Sequence, residues 1–279
     1  ESLESLGRAG HPAGHFMKSI LACFLLALCL ASAQVLGSQH IKVYAYHLKP
    51  PFIVDLQQRQ GLYFDFSDYL NSKGDAYRFE TLFLPRNRIE HALTHGQLDG
   101  ILIGVNPLWF QDQAQEKYLW TPSLYQDQDE IVSLTGTGLN YRGPESLIGL
   151  HLAGVLGFSY HGIDDWVAAG KIARSDTPGE REVLLMLLKG RVDVGIVSRS
   201  TLDYLVEREG WQGLFHVSPT PHDRFARRLL LPPGQEALYR YLLPILEHLP
   251  HDPAWQAILE RYAEPANAPG SNIGLPLTD

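Results

Sequence analysis

From residue 41 onward the chain alternates apolar runs of strand length with segments of helical spacing, in two successive series, and this alternation limits its fold more than any other feature. Such alternation argues for an α/β architecture with a mainly parallel sheet. Residues 41–46 alternate as a strand, 63–72 have helical spacing and 77–84 read as a second strand. A short helix over 88–95 is ended by Gly96, and 99–105 is a buried strand. Segments 118–125 and 129–134 lead out of this first series. After the break Gly136-Thr137-Gly138 the pattern restarts, with strands over 152–156 and 192–197 and helices over 162–169 and 180–189. A helix over 200–208, a strand over 215–218 and a return strand over 225–231 follow. Residues 235–248 and 253–262 are helical, and the Pro- and Gly-containing end, 266–279 above all, is expected to be loose.

The first 33 residues belong to a different kind of segment. Met17 and Lys18 precede an apolar run over 20–30 that ends in Ala31-Ser32-Ala33, a small-x-small cleavage pattern. Residues 1–33 are therefore expected to be a leader region with a signal peptide, cut after Ala33, that directs the chain to the periplasm. The run is about half the ~20 residues that a membrane-spanning helix needs. The only two cysteines, Cys23 and Cys29, both lie inside it. The exported part would have no thiol, which excludes disulfides, cysteine-ligated metals and cysteine nucleophiles from it. The net charge of −8, with both signs interspersed, argues against nucleic acid as a partner.

Ligands of α/β lobes sit beyond the carboxyl ends of the strands, which selects particular loops. In the first series these loops carry Tyr46, Phe52, Asn106, Trp109, Trp120 and Tyr125, a largely aromatic set suited to a planar or cationic ligand. Each ring can equally serve as core or hinge packing. In the second series Ser159 and Tyr160 lie in Gly157-Phe158-Ser159-Tyr160-His161-Gly162, between a strand and a helix start. Such a place suits an anion, and it suits a plain Ser N-cap as well. Arg86 and Arg88 flank Asn87 just after a strand, where one of them can reach a carboxylate. Gly96 and Gly190 each precede an acid, Asp99 and Asp193, that opens a buried strand. Helix-to-strand punctuation accounts for this parallel as well as a site does.

Catalytic and metal signatures are weak. Among the twelve histidines, His91 and His95 have i, i+4 spacing without a third ligand nearby, and no His-Glu-x-x-His pattern occurs. No Gly-x-Ser-x-Gly elbow and no Walker phosphate loop is present. An enzyme would need a general acid or base buried in a cleft, and Asp65 and Glu116 are the acids nearest the proposed loops.

The order Tyr46, Pro50-Pro51-Phe52, Gly61, Asp65, Leu84-Pro85-Arg86-Asn87-Arg88, Leu93, Gly96 and Asp99 resembles the first lobe of the bacterial extracellular solute-binding protein family 3. This family holds the polar amino-acid receptors of ATP-binding-cassette importers. Leu147-Ile148-Gly149, Gly154-Val155, Gly157 and Gly190-Arg191-Val192-Asp193 resemble its second lobe, so that the likeness spans roughly residues 40 to 265. It implies the two-lobe, type II periplasmic-binding-protein fold with two hinge strands, one lobe over 40–133 plus 222–265 and the other over 134–221. It further implies a monomer without cofactor or metal that captures a small polar or aromatic-compatible solute and delivers it to an inner-membrane importer permease, and that is not an enzyme. The family also implies Arg88 as the preferred arginine, and it makes Ser198 the counterpart of an Asp that holds a ligand ammonium. Residues 109–118 lack the Arg that amino-acid receptors use for the carboxylate. A conventional α-amino acid would thus leave its charges unpaired and costly to desolvate. The same family includes a periplasmic cyclohexadienyl dehydratase, and a sensor module for a membrane receptor is the third role open to this scaffold.

Overall fold

The computed structural model describes residues 38–263, so the expected leader over 1–33 and the expected loose end over 266–279 lie outside the described residues. The first series forms β1 (Gln39–Ala45), α1 (Leu62–Asn71), β2 (Tyr77–Phe83), α2 (Arg86–Thr94) and β3 (Gly100–Val105). All six residues of β3 are buried, as expected of a strand covered on both faces. The chain then passes through β4 (Leu119–Trp120) into β5 (Tyr125–Leu134). The second series comprises β6 (His151–Val155), α3 (Asp164–Ala168), β7 (Ala173–Thr177), α4 (Glu180–Leu188) and β8 (Val194–Ser198). It is followed by α5 (Arg199–Glu209), β9 (Phe215–Val217) and β10 (Asp223–Leu231), and by two closing helices, α6 (Glu236–His248) and α7 (Pro253–Ala263).

The strand order is β2-β1-β3-β10-β5-β8-β6-β7, with β4 paired to β10 and β9 to β5. β1 with β3, and β6 with both β7 and β8, are parallel, whereas β5 and β10 run antiparallel to their neighbours. These two long strands tie the sheet together. Over Asp223 to Arg227, β10 pairs with β5, and from Arg228 onward it pairs with β3, with a register shift between Arg228 and Leu229. In the same way β5 leaves β10 to pair with β8 and β9.

Each half of the sheet has its own apolar interior. In the first half Val43, Ile101 and Leu229 pack with Phe66 and Leu70 of α1 and with Trp255 of α7. On the opposite face Ile89 and Leu93 of α2, one helical turn apart, meet Leu102 and Leu230. In the second half Val183, Leu184 and Leu187 of α4 cover Ala153 and Val197, while Ile163 and Leu147 pack against Val194 and Ile196. Among the described residues no helix is long and apolar enough to cross a membrane.

The two punctuating motifs are structural. Gly96 and Gly190 take φ of 63° and 60°, the left-handed C-cap expected of them. Asp99 accepts hydrogen bonds from Tyr44 and Lys42 on the adjacent strand, and Asp193 accepts one of 2.7 Å from the His151 backbone N–H. Neither acid belongs to a site. Two strands went unread in the sequence: β7, whose Ala-Arg-Ser-Asp-Thr lacks alternation because it lies at the edge of the sheet, and the polar first half of β5.

Gly104 in β3 has φ of 77°, and a Cβ there would stand 1.7 Å from the buried Tyr63 hydroxyl. Gly104→Ala is therefore expected to cost about 2–4 kcal/mol through backbone strain and overpacking. Urea unfolding would show the lower midpoint with an unchanged slope.

Candidate functional site

The start of β5 reads Tyr125-Gln126-Asp127-Gln128-Asp129-Glu130, a composition unsuited to an apolar interior. Side chains two apart on a strand share a face, so Asp127 and Asp129 point the same way. Their surroundings nevertheless differ sharply. Asp127 is buried and takes Arg227 of β10 as an ion-pair partner, with Nε and Nη2 both 2.8 Å from Oδ2. It also accepts a 2.8 Å hydrogen bond from the Ser200 hydroxyl. Burial alone would raise the Asp127 carboxyl, but Arg227 and Lys49 outweigh it and hold the group below the usual carboxylate value. Arg227 is 1% exposed, donates to the Gly104 carbonyl at 3.0 Å and lies 4.2 Å over the Phe52 ring. Phe52 in turn stacks on Tyr63 and Tyr125, which completes the floor of the site.

A second polar cluster joins the halves beside this floor. Lys49, in the loop after β1, is ion-paired with Glu180 in the first turn of α4 and donates to Ser198 Oγ at 2.9 Å. Glu180 also accepts from the Ser198 backbone N–H at 3.1 Å, and the Thr201 hydroxyl donates to the Pro50 carbonyl at 2.7 Å. Lys49 and Glu180 are both buried, so that each satisfies a charge the other could not leave unpaired.

Above these clusters opens a cavity of about 380 Å³ with walls from both halves of the sheet. Tyr46, His47, Arg86 and Trp109 form one side, and Phe158, Ser159, Tyr160 and Asp164 the other. Asp129, His222, Asp223 and Arg227 line it from the two long strands and the turn before β10. Asp129 is half-buried, and no side-chain hydrogen bond or ion pair engages it among the described residues. Burial pushes its carboxyl up to about 7; Lys49 and Arg227 oppose that rise, while Glu180 and Asp127 add to it. The His47 imidazole is held well below its ordinary value by burial and by the neighbouring Arg227, Lys49 and Arg86, so it is neutral at pH 7. His47 Nδ1 and the Tyr46 hydroxyl are sealed from solvent without a hydrogen-bond partner. Burial raises that hydroxyl to about 12, which keeps it protonated.

Of the residues singled out from the sequence, Tyr46, Trp109, Ser159 and Tyr160 line the cavity. Phe52 and Tyr125 lie one layer below, in the stack under Arg227. Asn106 is buried behind Trp109 and accepts a 3.2 Å hydrogen bond from its backbone N–H. Trp120 faces away, its indole N–H donating to Asp112 at 2.7 Å. Ser198 stands at the N-cap position of α5 without a side-chain capping bond, its hydroxyl engaged instead in the Lys49–Glu180 cluster. Arg88 is exposed and does not line the cavity; Arg86 takes that place instead. Its guanidinium lies 5.5 Å over the Tyr46 ring, donates to the Trp109 carbonyl at 3.1 Å and pairs with Glu90. The reason is helical phase, since α2 buries Ile89 and Leu93 and so turns Arg88 outward. The acids of the cleft differ from those expected: Asp65 binds the Tyr262 hydroxyl and Glu116 is exposed on a loop, whereas Asp129, Asp164, Asp165 and Asp223 line the cavity.

Two half-sheets joined by two long strands, with a polar cavity between them, are the architecture of the type II periplasmic binding proteins. Solved structures bear this out. A mutant of ArgBP from T. maritima is 13% identical with a TM-score of 0.62, covering 80% of this chain and 94% of that one. The GluR0 ligand-binding core in complex with L-glutamate is 18% identical with a TM-score of 0.64, covering 81% and 99%. The substrate-binding protein of an amino acid ABC transporter is 14% identical with a TM-score of 0.59, covering 80% and 98%. At these identities the shared property is the two-lobe fold. No protein-family model and no curated protein sequence matches the chain.

The two acids of β5 predict opposite phenotypes. Asp127→Ala strands a buried guanidinium and is expected to lower stability by about 3–5 kcal/mol. Between its ordinary 3.8 and about 7, folded Asp129 keeps a proton that the unfolded chain has released. Its contribution to stability therefore falls as pH rises through that window. Asp129→Asn should raise the melting temperature of the ligand-free protein at pH 8, and the gain should vanish near pH 4.

Proposed function

We propose that this protein is a periplasmic solute-binding protein, which closes its two halves over one small polar solute and presents the closed form to the permease of an ATP-binding-cassette importer. The observation that carries this function is the cavity itself, walled by Tyr46, Arg86 and Trp109 on one side and by Ser159 and Tyr160 on the other. A solute touching both walls binds the closed arrangement better than the open one, and so shifts the population toward closure. In this proposal residues 40–133 with 222–265 move as one lobe and 134–221 as the other, with β5 and β10 as the straps. Residues 1–33 export the chain, and the mature protein acts as a monomer.

The solute is held by groups already in place. Arg86 and Ser159 offer hydrogen-bond donors from opposite walls, Trp109 offers a ring face, and Asp129 offers a carboxylate from the strap between them. Turnover in the cleft is the second function open to this geometry, and one observation favours it. Asp129 exchanges its proton near neutral pH in a partly desolvated place, as a general acid or base must.

A thermal-shift screen against amino acids, polyamines, aromatic acids and small peptides tests the proposal. A solute present at one hundred times its Kd should add about 2.7 kcal/mol of stability. Arg86→Ala should weaken that shift strongly and Arg88→Ala should leave it intact, and the solute should be recovered chemically unchanged. A flat response to every class of solute would overturn the proposal, and conversion of the solute would establish an enzyme in its place.

A further inference from the structure

The charges of the cavity are not balanced within it. Its three cations are each engaged by an acid that does not line this cavity: Lys49 by Glu180, Arg227 by Asp127 and Arg86 by Glu90. Of its four acids, Asp164 is matched by Arg174 at 2.8 Å, whereas Asp129, Asp165 and Asp223 take part in no ion pair among the described residues. The surplus facing a guest is therefore negative. Asp129 is the best held of the three, because its backbone is paired on both sides, to Asp223 of β10 and to Ser198 of β8. A carboxylate fixed on a central strand needs no reorganisation to meet a ligand.

Two further features point to a guest with N–H donors. Tyr46 and His47 both line the cavity, and the Tyr46 hydroxyl and His47 Nδ1, on residues only 8% and 3% exposed, are buried without a hydrogen-bond partner among the described residues. A buried polar atom left unpaired is costly, so a closure that brings donors of a guest to these two atoms is favoured. Burial keeps His47 neutral, so the ring adds no positive charge to repel a cation. Trp109, only partly buried in the same wall, adds a ring that attracts cations through its quadrupole.

We propose that the cavity takes an organic cation, an ammonium or guanidinium carried on an apolar or aromatic skeleton, with its charge at Asp129 and its skeleton against Trp109. A solute whose only charge is a carboxylate would meet the Asp129 carboxylate, and because buried acids hold Lys49 and Arg227, only Arg86, whose partner Glu90 is exposed, is left to offset it. This assignment rests on the solute-capture function proposed above and specifies the chemistry of the guest.

Calorimetric titration with matched probes tests it. Phenethylamine is compared with 3-phenylpropionate, which keeps the skeleton and inverts the charge. Agmatine is compared with 4-guanidinobutyrate, in which a carboxylate replaces the amine, and L-phenylalanine and L-arginine represent the zwitterions. At pH 8 at least one of the two amines should bind ten-fold or more tightly than its carboxylate counterpart. Asp129→Asn should weaken that amine at least ten-fold while melting no lower than the wild type. Tighter binding of the carboxylates or zwitterions, or amine binding indifferent to Asp129→Asn, would overturn the cation assignment and leave solute capture standing. Failure of every probe to bind would also overturn the cation assignment, and solute capture itself falls only with a flat response in the wider thermal-shift screen.

Discussion

A guanidinium cannot be buried without a carboxylate to meet it, and the centre of this molecule is organised around that requirement. Arg227 sits on β10 and Asp127 on β5, the two strands shared by both halves of the sheet. Their ion pair, backed by the Gly104 carbonyl and the Phe52 ring, sets the position of one strap against the other. The cavity is built upward from this point. Arg227 forms part of its floor, Phe52 and Tyr125 support that floor from below, and the Lys49–Glu180 pair closes it at the side.

Asp129, two residues along the same strand, shows what satisfied charges look like by contrast. Asp127 has every polar neighbour it needs and its carboxyl is held low, whereas Asp129 has none and its carboxyl is pushed up to about 7. A group retained at a cost to stability is characteristic of a site rather than of a scaffold. The unpaired Tyr46 hydroxyl and His47 Nδ1 belong to the same pattern. Unmet bonding capacity thus runs from the walls of the cavity into its floor, where the Tyr63 and Tyr125 hydroxyls are also unpaired.

The fold was legible in the sequence wherever periodicity and burial coincide. The unbroken apolar run of β3 and the Ile89–Leu93 spacing of α2 each announced themselves, as did the two left-handed glycines that end helices. β7 escaped because an edge strand carries little apolar pattern, and the first half of β5 because Gln-Asp-Gln-Asp-Glu resembles a loop. The site was legible only in part, for related reasons. Aromatic residues after strands located Tyr46 and Trp109, but Trp120 shares their chemistry and faces Asp112 instead. The choice between Arg86 and Arg88 turned on helical phase, which two flanking positions cannot reveal. Lys49 and Arg227 were missed because their meaning arises from pairing across 131 and 100 residues of chain, and Asp129 because the acid run that holds it gives no local sign of which acid is left without a partner.

The central claim is mechanical: one solute, gripped from both sides, draws the two halves together about β5 and β10. Small-angle scattering of the protein with and without a saturating bound solute measures this most directly. A smaller radius of gyration in the complex, with the ligand-free protein sampling more open shapes, is the result expected of a closing cleft. An identical scattering curve in the two states, from a protein shown to be saturated, would contradict it.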